Sequence, residues 1–205
     1  MKNWLNRLIT VSAVLISVLA FGGVTAFAKG DFVIEDGVLL EYNGNSTCVE
    51  IPDGVKYIGE QAFLDKRNIE EIVLPKGLLS IGDEAFYWCT SLKEIVLPEG
   101  LVDIGMYAFG ECYNLEKVYV PDSVVLIREG AFVKCTSLKE VRLPDDLQME
   151  SGVFNSCESL KRITLPKDMI YISDHTFAFC YNLTEVELPD NLISIQTGVF
   201  LNCTS

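Results

Sequence analysis

The chain has 205 residues, of which 49% are hydrophobic and 22% charged, and its 29 acidic and 16 basic residues give a net charge of −13. This composition is typical of one compact folded unit, because a disordered acidic segment has fewer apolar residues and a polytopic membrane protein has several long uncharged runs. The acidic excess also argues against nucleic-acid binding, which depends on Lys and Arg side chains that neutralise phosphates.

Residues 1–28 have the features of a secretory signal peptide. Lys2 and Arg7 precede a stretch of 21 uncharged residues, which ends with the small residues Ala26 and Ala28. This order predicts cleavage after Ala28, and an uncleaved membrane anchor is the alternative because 21 residues can span a bilayer. Cleavage would leave 14 basic and 29 acidic residues, a net charge of −15, on a secreted or surface-displayed protein that is not inserted in the membrane.

All seven prolines of the chain recur at nearly one spacing. They are Pro52, Pro75, Pro98, Pro121, Pro144, Pro166 and Pro189, and the intervals are 23 residues except for one of 22. Around each proline lies the pattern Leu-Pro-x-x-Leu-x-x-Ile-Gly-x-x-Ala-Phe-x-x-Cys-x-x-Leu-x-x-Ile-x. Six copies are complete, and the seventh, from Leu188, contains 18 residues, so we expect further repeats beyond it. The copy from Leu143 is one residue short and has Met149 in its Ile position, which predicts an irregularity there.

One copy from the middle of the chain explains this spacing. Ile95 and Leu97 are alternate residues and predict a short strand with both side chains inside, ended by the following proline, which cannot donate to a sheet. Ala108, Phe109 and Cys112 fall at helical spacing, which predicts a helical turn with these side chains on its inner side. A single coil cannot bury its apolar edge, so we expect the copies to stack as a solenoid with parallel strands and a buried Phe column.

The repeat resembles the leucine-rich repeats of the BspA-like family (leucine-rich repeat type 5) over residues 51–205. The resemblance implies an α/β repeat solenoid, curved and right-handed, with a parallel β-sheet and 23-residue coils. It also implies a secreted or cell-surface protein that adheres to host proteins or to other cells. Residues 29–50 precede the repeats, and their apolar residues together with a turn at Asn43 and Gly44 predict a hairpin-like N-terminal cap.

Six of the seven cysteines share one position of the repeat, at 89, 112, 135, 157, 180 and 203. Neighbours in such a row would be about 5 Å apart with parallel Cβ vectors, whereas a disulfide needs Cβ atoms about 3.5 to 4.5 Å apart that point toward each other. We therefore expect buried free thiols, with adjacent bridges as the alternative, and no zinc site, because a straight row of ligands does not converge.

Cys48 lies outside the row. Its register with Glu71 predicts an outward side chain, either a candidate reactive thiol or an edge residue covered by the cap.

Surface positions of the strands form columns from coil to coil. If Ile95 and Leu97 point inward, one outer column begins with Val73, Val96 and Tyr119 and then becomes polar, so its apolar end is a candidate partner-binding site. Two charged columns beside it vary in sign, which predicts cross-strand ion pairs. Aromatic rings in other non-core positions are further candidates, because rings are enriched in interface hot spots, and the alternative is that they cover neighbouring coils. These rings are Tyr87, Trp88, Tyr107 and Tyr113.

No catalytic site is indicated. His175 is the single histidine, and neither it nor the adjacent Asp174 belongs to a nucleophile motif. Glycines recur once per coil and are not concentrated in one phosphate-binding loop, and acidic residues are spread over surface positions. We therefore expect a binding module without enzymatic activity, cofactor or metal, whose partner is a protein on the host matrix or a cell surface, or a glycan. The alternative is the targeting or substrate-binding region of a larger extracellular enzyme.

Overall fold

The computed structural model describes residues 30–205, so the expected signal peptide at residues 1–28 lies outside the described residues. The described chain forms 16 short strands and contains no helix. Most of the strands pair in parallel, coil on coil, into two sheets. Sheet 1 contains the three-residue strands before the first five prolines, and sheet 2 contains the two-residue strands at the first five Ile positions together with an N-terminal hairpin. The equivalent strands of the last two coils form two separate pairs. In this part of the chain no helical segment is long and apolar enough to cross a membrane.

After the N-terminal hairpin, whose two strands both belong to sheet 2, the strands alternate along the chain between the two series. Those of sheet 1 are β3 Cys48–Glu50, β5 Glu71–Val73, β7 Glu94–Val96, β9 Lys117–Tyr119 and β11 Glu140–Arg142, followed by the separate pair β13 Arg162–Thr164 and β15 Glu185–Glu187. Those of sheet 2 are β1 Phe32–Glu35, β2 Val38–Tyr42, β4 Tyr57–Ile58, β6 Ser80–Ile81, β8 Asp103–Ile104, β10 Leu126–Ile127 and β12 Gln148–Met149, followed by the pair β14 Tyr171–Ile172 and β16 Ser194–Ile195.

The N-terminal hairpin is the one antiparallel pair among the described strands. β1 and β2 are joined at Asp36 and Gly37, whose φ angles are 48° and 80°, and β2 then pairs in parallel with β4. Two successive residues with positive φ form the turn that suits the twist of a two-residue hairpin, and Asp-Gly is a favoured pair for it. The predicted turn at Asn43 and Gly44 is therefore wrong, because these residues follow the second strand.

The inward side chains are those that the repeat predicts. Ile95 and Leu97 are 4% and 5% exposed, and Ala108, Phe109 and Cys112 are fully buried. The Phe rings form a continuous column from Phe63 to Phe200, with centroids of neighbouring rings 5.0 to 5.9 Å apart. Tyr42 stacks on Phe63 at 5.1 Å, so the hairpin extends the column beyond the repeats.

The predicted helical turn is wrong, and the α part of the α/β class is absent from residues 30–205. Tyr107 and Glu111 have φ angles of 52° and 58°, in the left-handed region that an α-helix excludes. Between them the amides alternate: Phe109 N–H donates to Ala131 O of the next coil at 2.8 Å, whereas Gly110 N–H closes a turn on Tyr107 O at 2.9 Å. The segment is thus a series of turns whose backbone amides bond to the equivalent segment of the next coil. The right-handed sense of the solenoid stays an expectation.

The glycine after the Ile position is required for a close backbone approach. A Cβ atom on Gly105 would lie 2.5 Å from the carbonyl carbon of Gly82 in the preceding coil, a distance that side-chain atoms do not tolerate. The sequence predicts that glycine allows the chain to turn here, but φ of Gly105 is not in the left-handed region. Glycine is therefore required at this position because the neighbouring coils approach too closely to leave room for a side chain.

Both sheets are interrupted at the coil that is one residue short. In the described chain β11 does not pair with β13, and β12 does not pair with β14. We call this boundary the junction. The turn segments remain bonded across it, since Phe154 N–H donates to Thr176 O at 3.0 Å, and the Ser173 hydroxyl donates to Met149 O at 2.7 Å. The predicted irregularity is confirmed, and Met149 occupies the Ile position opposite Ile127.

The junction predicts a local difference in amide hydrogen exchange. Lys139 N–H donates to Glu116 O at 2.9 Å and Val125 N–H donates to Val102 O at 3.0 Å, but the equivalent amides of Lys161 and Ile170 have no such acceptor in residues 30–205. Because amides without an acceptor exchange without unfolding of their coil, Lys161 and Ile170 should exchange about tenfold or more faster than Lys139 and Val125. Residue-resolved exchange by NMR measures this, and equal protection at all four amides would contradict it.

Candidate functional site

The outer face of sheet 1 brings three predicted binding residues together. Val73 and Val96 are 40% and 50% exposed, and Tyr119 is half-buried beside Val96 in the parallel register of β7 and β9. The Tyr119 hydroxyl donates to Glu140 Oε1 at 2.8 Å, which fixes the ring in place. We call Val73, Val96 and Tyr119 the apolar column. It offers a partner two aliphatic side chains and one immobilised ring on consecutive strands.

Ion pairs flank the apolar column. Lys93 Nζ lies 2.5 Å from Glu70 Oε2, and Lys139 Nζ lies 3.0 Å from Glu116 Oε2, so the predicted pairing from coil to coil is confirmed at these positions. The side chains are about half-exposed or more, and such pairs contribute about 0 to 1 kcal/mol each. These ion pairs therefore contribute little to the stability of the sheet, and their main effect is on the charge pattern of its outer face.

The predicted aromatic candidates lie on the turn segments, and three of them converge on Glu111. Trp88 Nε1 donates to Glu111 Oε2 at 2.7 Å, and the Tyr87 hydroxyl donates to Glu111 Oε1 at 3.1 Å. The Tyr113 hydroxyl also donates to this carboxylate, and Lys134 Nζ lies 2.8 Å from Glu111 Oε1. We call these five residues the Glu111 cluster. Tyr107 is placed beside it, with its ring edge-on to Tyr87 and its hydroxyl on Glu129.

The Glu111 carboxylate stays ionised although it is only 12% exposed. Burial raises the pKa of Glu111, but the four hydrogen bonds of the cluster outweigh burial and lower this pKa from 4.5 to about 2. Burial, followed by its hydrogen bond to Glu111, raises the pKa of Tyr87 to about 12. The cluster is therefore a fixed arrangement of one anion and four donors over the neutral pH range.

Sequence reasoning selected the rings and missed the carboxylate that orders them. Trp88, Glu111 and Lys134 are spaced by 23 residues and occupy one column of left-handed residues on three consecutive coils. The sequence contains this signal, because an aromatic, an acidic and a basic residue occupy the same position of three consecutive copies. Without the turn geometry, however, nothing distinguished this outer position from the other variable positions of the repeat.

Cys48 differs from the other six cysteines as predicted. It is exposed, and its Sγ lies 3.8 Å from Glu71 Oε2 on the neighbouring strand. All seven cysteines are free thiols in the structure, and each cysteine of the row directs its Sγ to a Phe carbonyl oxygen of the preceding coil, as Cys112 does to Phe86 O at 3.3 Å. Burial raises the pKa of Cys112 well above its ordinary value. Burial therefore disfavours the thiolate at the five buried cysteines of the row, whereas Cys203 is half-buried.

His175 and Asp174 do not form a catalytic pair. His175 is exposed on its turn segment, and its ring lies against Gly198 of the next coil. Asp174 Oδ1 accepts a hydrogen bond from the backbone N–H of Thr197 at 2.6 Å, so this carboxylate connects two coils.

A protein-family model for the BspA-type leucine-rich repeat region matches the chain in six copies, over residues 39–149 and 79–205. The chain belongs to this family. Leucine-rich-repeat proteins typically act as protein-interaction modules, and this family and its fold are repeat modules without catalysis. No curated protein sequence gives a match.

Solved structures with similar folds are leucine-rich-repeat proteins of bacteria. The T. pallidum leucine-rich repeat protein TpLRR is 30% identical, with a TM-score of 0.84, over 88% of this chain and 90% of that chain. A leucine-rich repeat protein of Bacteroides ovatus is 38% identical, with a TM-score of 0.67, over 71% of this chain and 38% of that chain. A leucine-rich cell surface protein of Faecalibacterium prausnitzii, 22% identical with a TM-score of 0.50 over 88% of this chain and 75% of that chain, shares the fold alone.

The low pKa of Glu111 predicts a pH-dependent contribution to stability. Because the folded-state pKa is about 2 and the ordinary value is 4.5, the contribution is complete above about pH 4.5 and is lost as the pH falls toward 2. Glu111→Gln should lower the free energy of unfolding by about 1 to 3 kcal/mol at pH 7, and the difference from the wild type should shrink below pH 4.5.

Urea unfolding at pH 7, 4 and 3 measures this difference. Glu99→Gln is the matched control, since Glu99 is an exposed carboxylate outside the cluster. A deficit of Glu111→Gln that is the same at all three pH values would show that the cluster does not depress the pKa of Glu111.

Proposed function

We propose that this protein is secreted or displayed on the cell surface and adheres through the outer face of sheet 1 to a protein of the host matrix or of a cell surface. The apolar column carries the proposal, because Val73, Val96 and Tyr119 are aligned on a rigid parallel sheet and bordered by charge pairs. Family membership supports the class of function, since leucine-rich-repeat proteins typically bind proteins.

The rigidity of this face favours binding. Each strand of sheet 1 up to β11 is paired with its neighbours, and the inward residues Ile72, Ile95 and Val118 are at most 4% exposed. Binding to such a face does not require the backbone of sheet 1 to become ordered, so the affinity is not reduced by that entropic cost. The two ion pairs lie on one side of the apolar column, where they are solvated and provide a polar border. The aliphatic side chains and the Tyr119 ring provide the apolar centre.

A protein partner is favoured over a glycan. A sugar would need free ring faces, and among the four predicted aromatic candidates the exposed rings are those of Trp88 and Tyr113. The Arg67 guanidinium lies 5.5 Å from the centroid of the Trp88 ring, and the Tyr87 ring lies 5.1 Å from it. The Trp88 ring therefore already has two side chains of the protein beside it, which reduces the ring surface left for a sugar.

The test is a binding assay of the purified full chain against immobilised extracellular-matrix proteins and against intact cells of the source organism. For any partner that binds, the double variant Val73→Ser/Val96→Ser should weaken the affinity about tenfold or more, because two half-exposed side chains lose their apolar contact. The matched control is Val102→Ser/Val125→Ser, which removes two Val side chains of similar exposure, 43% and 50%, at the positions directly before β8 and β10. Equal affinity of both variants for every partner would reject sheet 1 as the binding face.

Export is proposed from residues 1–28, whose basic flank, apolar stretch and small residues predict cleavage. Expression of the full chain in a bacterial host should yield protein outside the cytoplasm that begins at Lys29, as N-terminal sequencing of the purified product would show. A product that retains Met1 in the membrane fraction would instead indicate the uncleaved anchor, and a cytoplasmic product would contradict export.

A further inference from the structure

The Asn43–Gly44 pair follows the N-terminal hairpin and takes no part in its turn. Asn43 is exposed, and residues 43–46 between β2 and β3 belong to no strand. Asn43 N–H donates to Asp31 O at 2.6 Å, which holds the backbone of Asn43 against the start of β1. The side-chain carboxamide of Asn43 has no hydrogen-bond partner among residues 30–205. This carboxamide is therefore free to rotate toward the backbone that follows it.

Gly44 is required at its position by space. A Cβ atom on Gly44 would lie 2.5 Å from Tyr42 Cζ and 2.7 Å from Asp31 Oδ2, closer than side-chain atoms tolerate. Packing of the hairpin therefore fixes a glycine directly after Asn43, and Asn43 is the single asparagine of the chain that a glycine follows. The Gly44 N–H has no acceptor in the described part of the chain, and without a Cβ atom beside it the Gly44 nitrogen can be approached closely.

We propose that Asn43 is a site of spontaneous deamidation in the folded protein. The Gly44 backbone nitrogen attacks Asn43 Cγ and a C–N bond forms, while the side-chain NH2 group takes the proton of this nitrogen and leaves as ammonia. Water then opens the cyclic imide at either of its two carbonyls. One opening gives aspartate, and the other gives isoaspartate, in which the backbone runs through the former side chain. Water is the only co-reactant. This inference is independent of the proposed function, which uses sheet 1.

Neighbouring asparagines have bonds that Asn43 lacks. Asn45 is exposed as well, but the Ser46 N–H that follows it donates to the Tyr42 hydroxyl at 3.3 Å, so the attacking nitrogen is already engaged. Asn68 is held through its side chain, because Asn68 Nδ2 donates to Ser46 O at 3.1 Å. Attack at either residue would first have to break one of these hydrogen bonds, which has a free-energy cost. The fold therefore adds to the preference of the sequence for reaction at Asn43.

The modification would change both the charge and the backbone at the N-terminal hairpin. Residues 30–50 have five acidic and no basic side chains, so a carboxylate at position 43 adds to an existing repulsion. Isoaspartate also adds a methylene group to the backbone directly after Tyr42. The Tyr42 ring stacks on Phe63 at 5.1 Å, and Tyr42 N–H donates to Ala62 O at 2.9 Å. Because both changes act beside these contacts, deamidation should loosen the hairpin from the first repeat coil.

The experiment incubates the purified full chain at neutral pH and follows each asparagine by peptide mapping with mass spectrometry. Conversion of an amide to an acid raises the mass, and fragmentation of the peptide assigns the residue. Asn43 should react about tenfold or more faster than Asn45, and this ratio should fall in concentrated urea, which releases Ser46 N–H from its acceptor. Asn43→Gln should suppress the reaction at position 43, because the longer side chain must close a larger ring. The matched control Asn45→Gln should leave the rate at Asn43 unchanged.

Amide exchange of the incubated chain tests the effect on the hairpin. Tyr42 N–H should exchange about tenfold or more faster in the deamidated protein than in fresh protein, whereas Phe109 N–H in the middle of the stack should keep its protection. Equal rates at Asn43 and Asn45 in the folded chain, or a ratio that urea does not change, would overturn the proposal that the fold directs the reaction. Unchanged protection of Tyr42 after complete deamidation would overturn its effect on the hairpin.

Discussion

Stacking of equivalent side chains from one coil to the next is the interaction on which this structure depends. The rings from Phe63 to Phe200 stack at 5.0 to 5.9 Å, close to the strand spacing of about 4.8 Å that both sheets impose. Each ring gains contacts on two sides that an isolated coil cannot provide. The backbone follows the same spacing, because alternate amides of each turn segment donate to the next coil. Side-chain stacking and backbone pairing therefore require the same coil geometry.

This stacking converts spacing along the chain into contact on the surface. Residues 23 positions apart become neighbours, which brings Trp88, Glu111 and Lys134 into one cluster and aligns Val73 with Val96. Outer positions are not needed for the stack, so their side chains can serve recognition while the core stays the same. The apolar column of sheet 1, beside the ion pairs Lys93–Glu70 and Lys139–Glu116, is one such outer surface.

The junction shows which part of a coil tolerates a lost residue. One residue fewer between Pro144 and Pro166 separates both sheets, yet the Phe154 and Phe177 rings still stack at 5.9 Å and the turn segments stay bonded. The deletion falls between the strands, where Leu147 takes a buried position, and the turn segment keeps its full length. The column of Phe rings and the turn segments therefore keep the coils stacked across the junction, where strand pairing stops.

The sequence alone determined the 23-residue period, the inward positions, the outer columns and the common position of six cysteines, because a repeat places each position in the same environment in every coil. Only the tertiary structure decided how the turn segments fold. Ala108, Phe109 and Cys112 are spaced as in a helix, but bonds between coils favour left-handed residues at Tyr107 and Glu111, and spacing within one copy does not contain that information. The same limit hid the Glu111 cluster, since it is formed by contacts between coils whose partners only the stacked chain brings together.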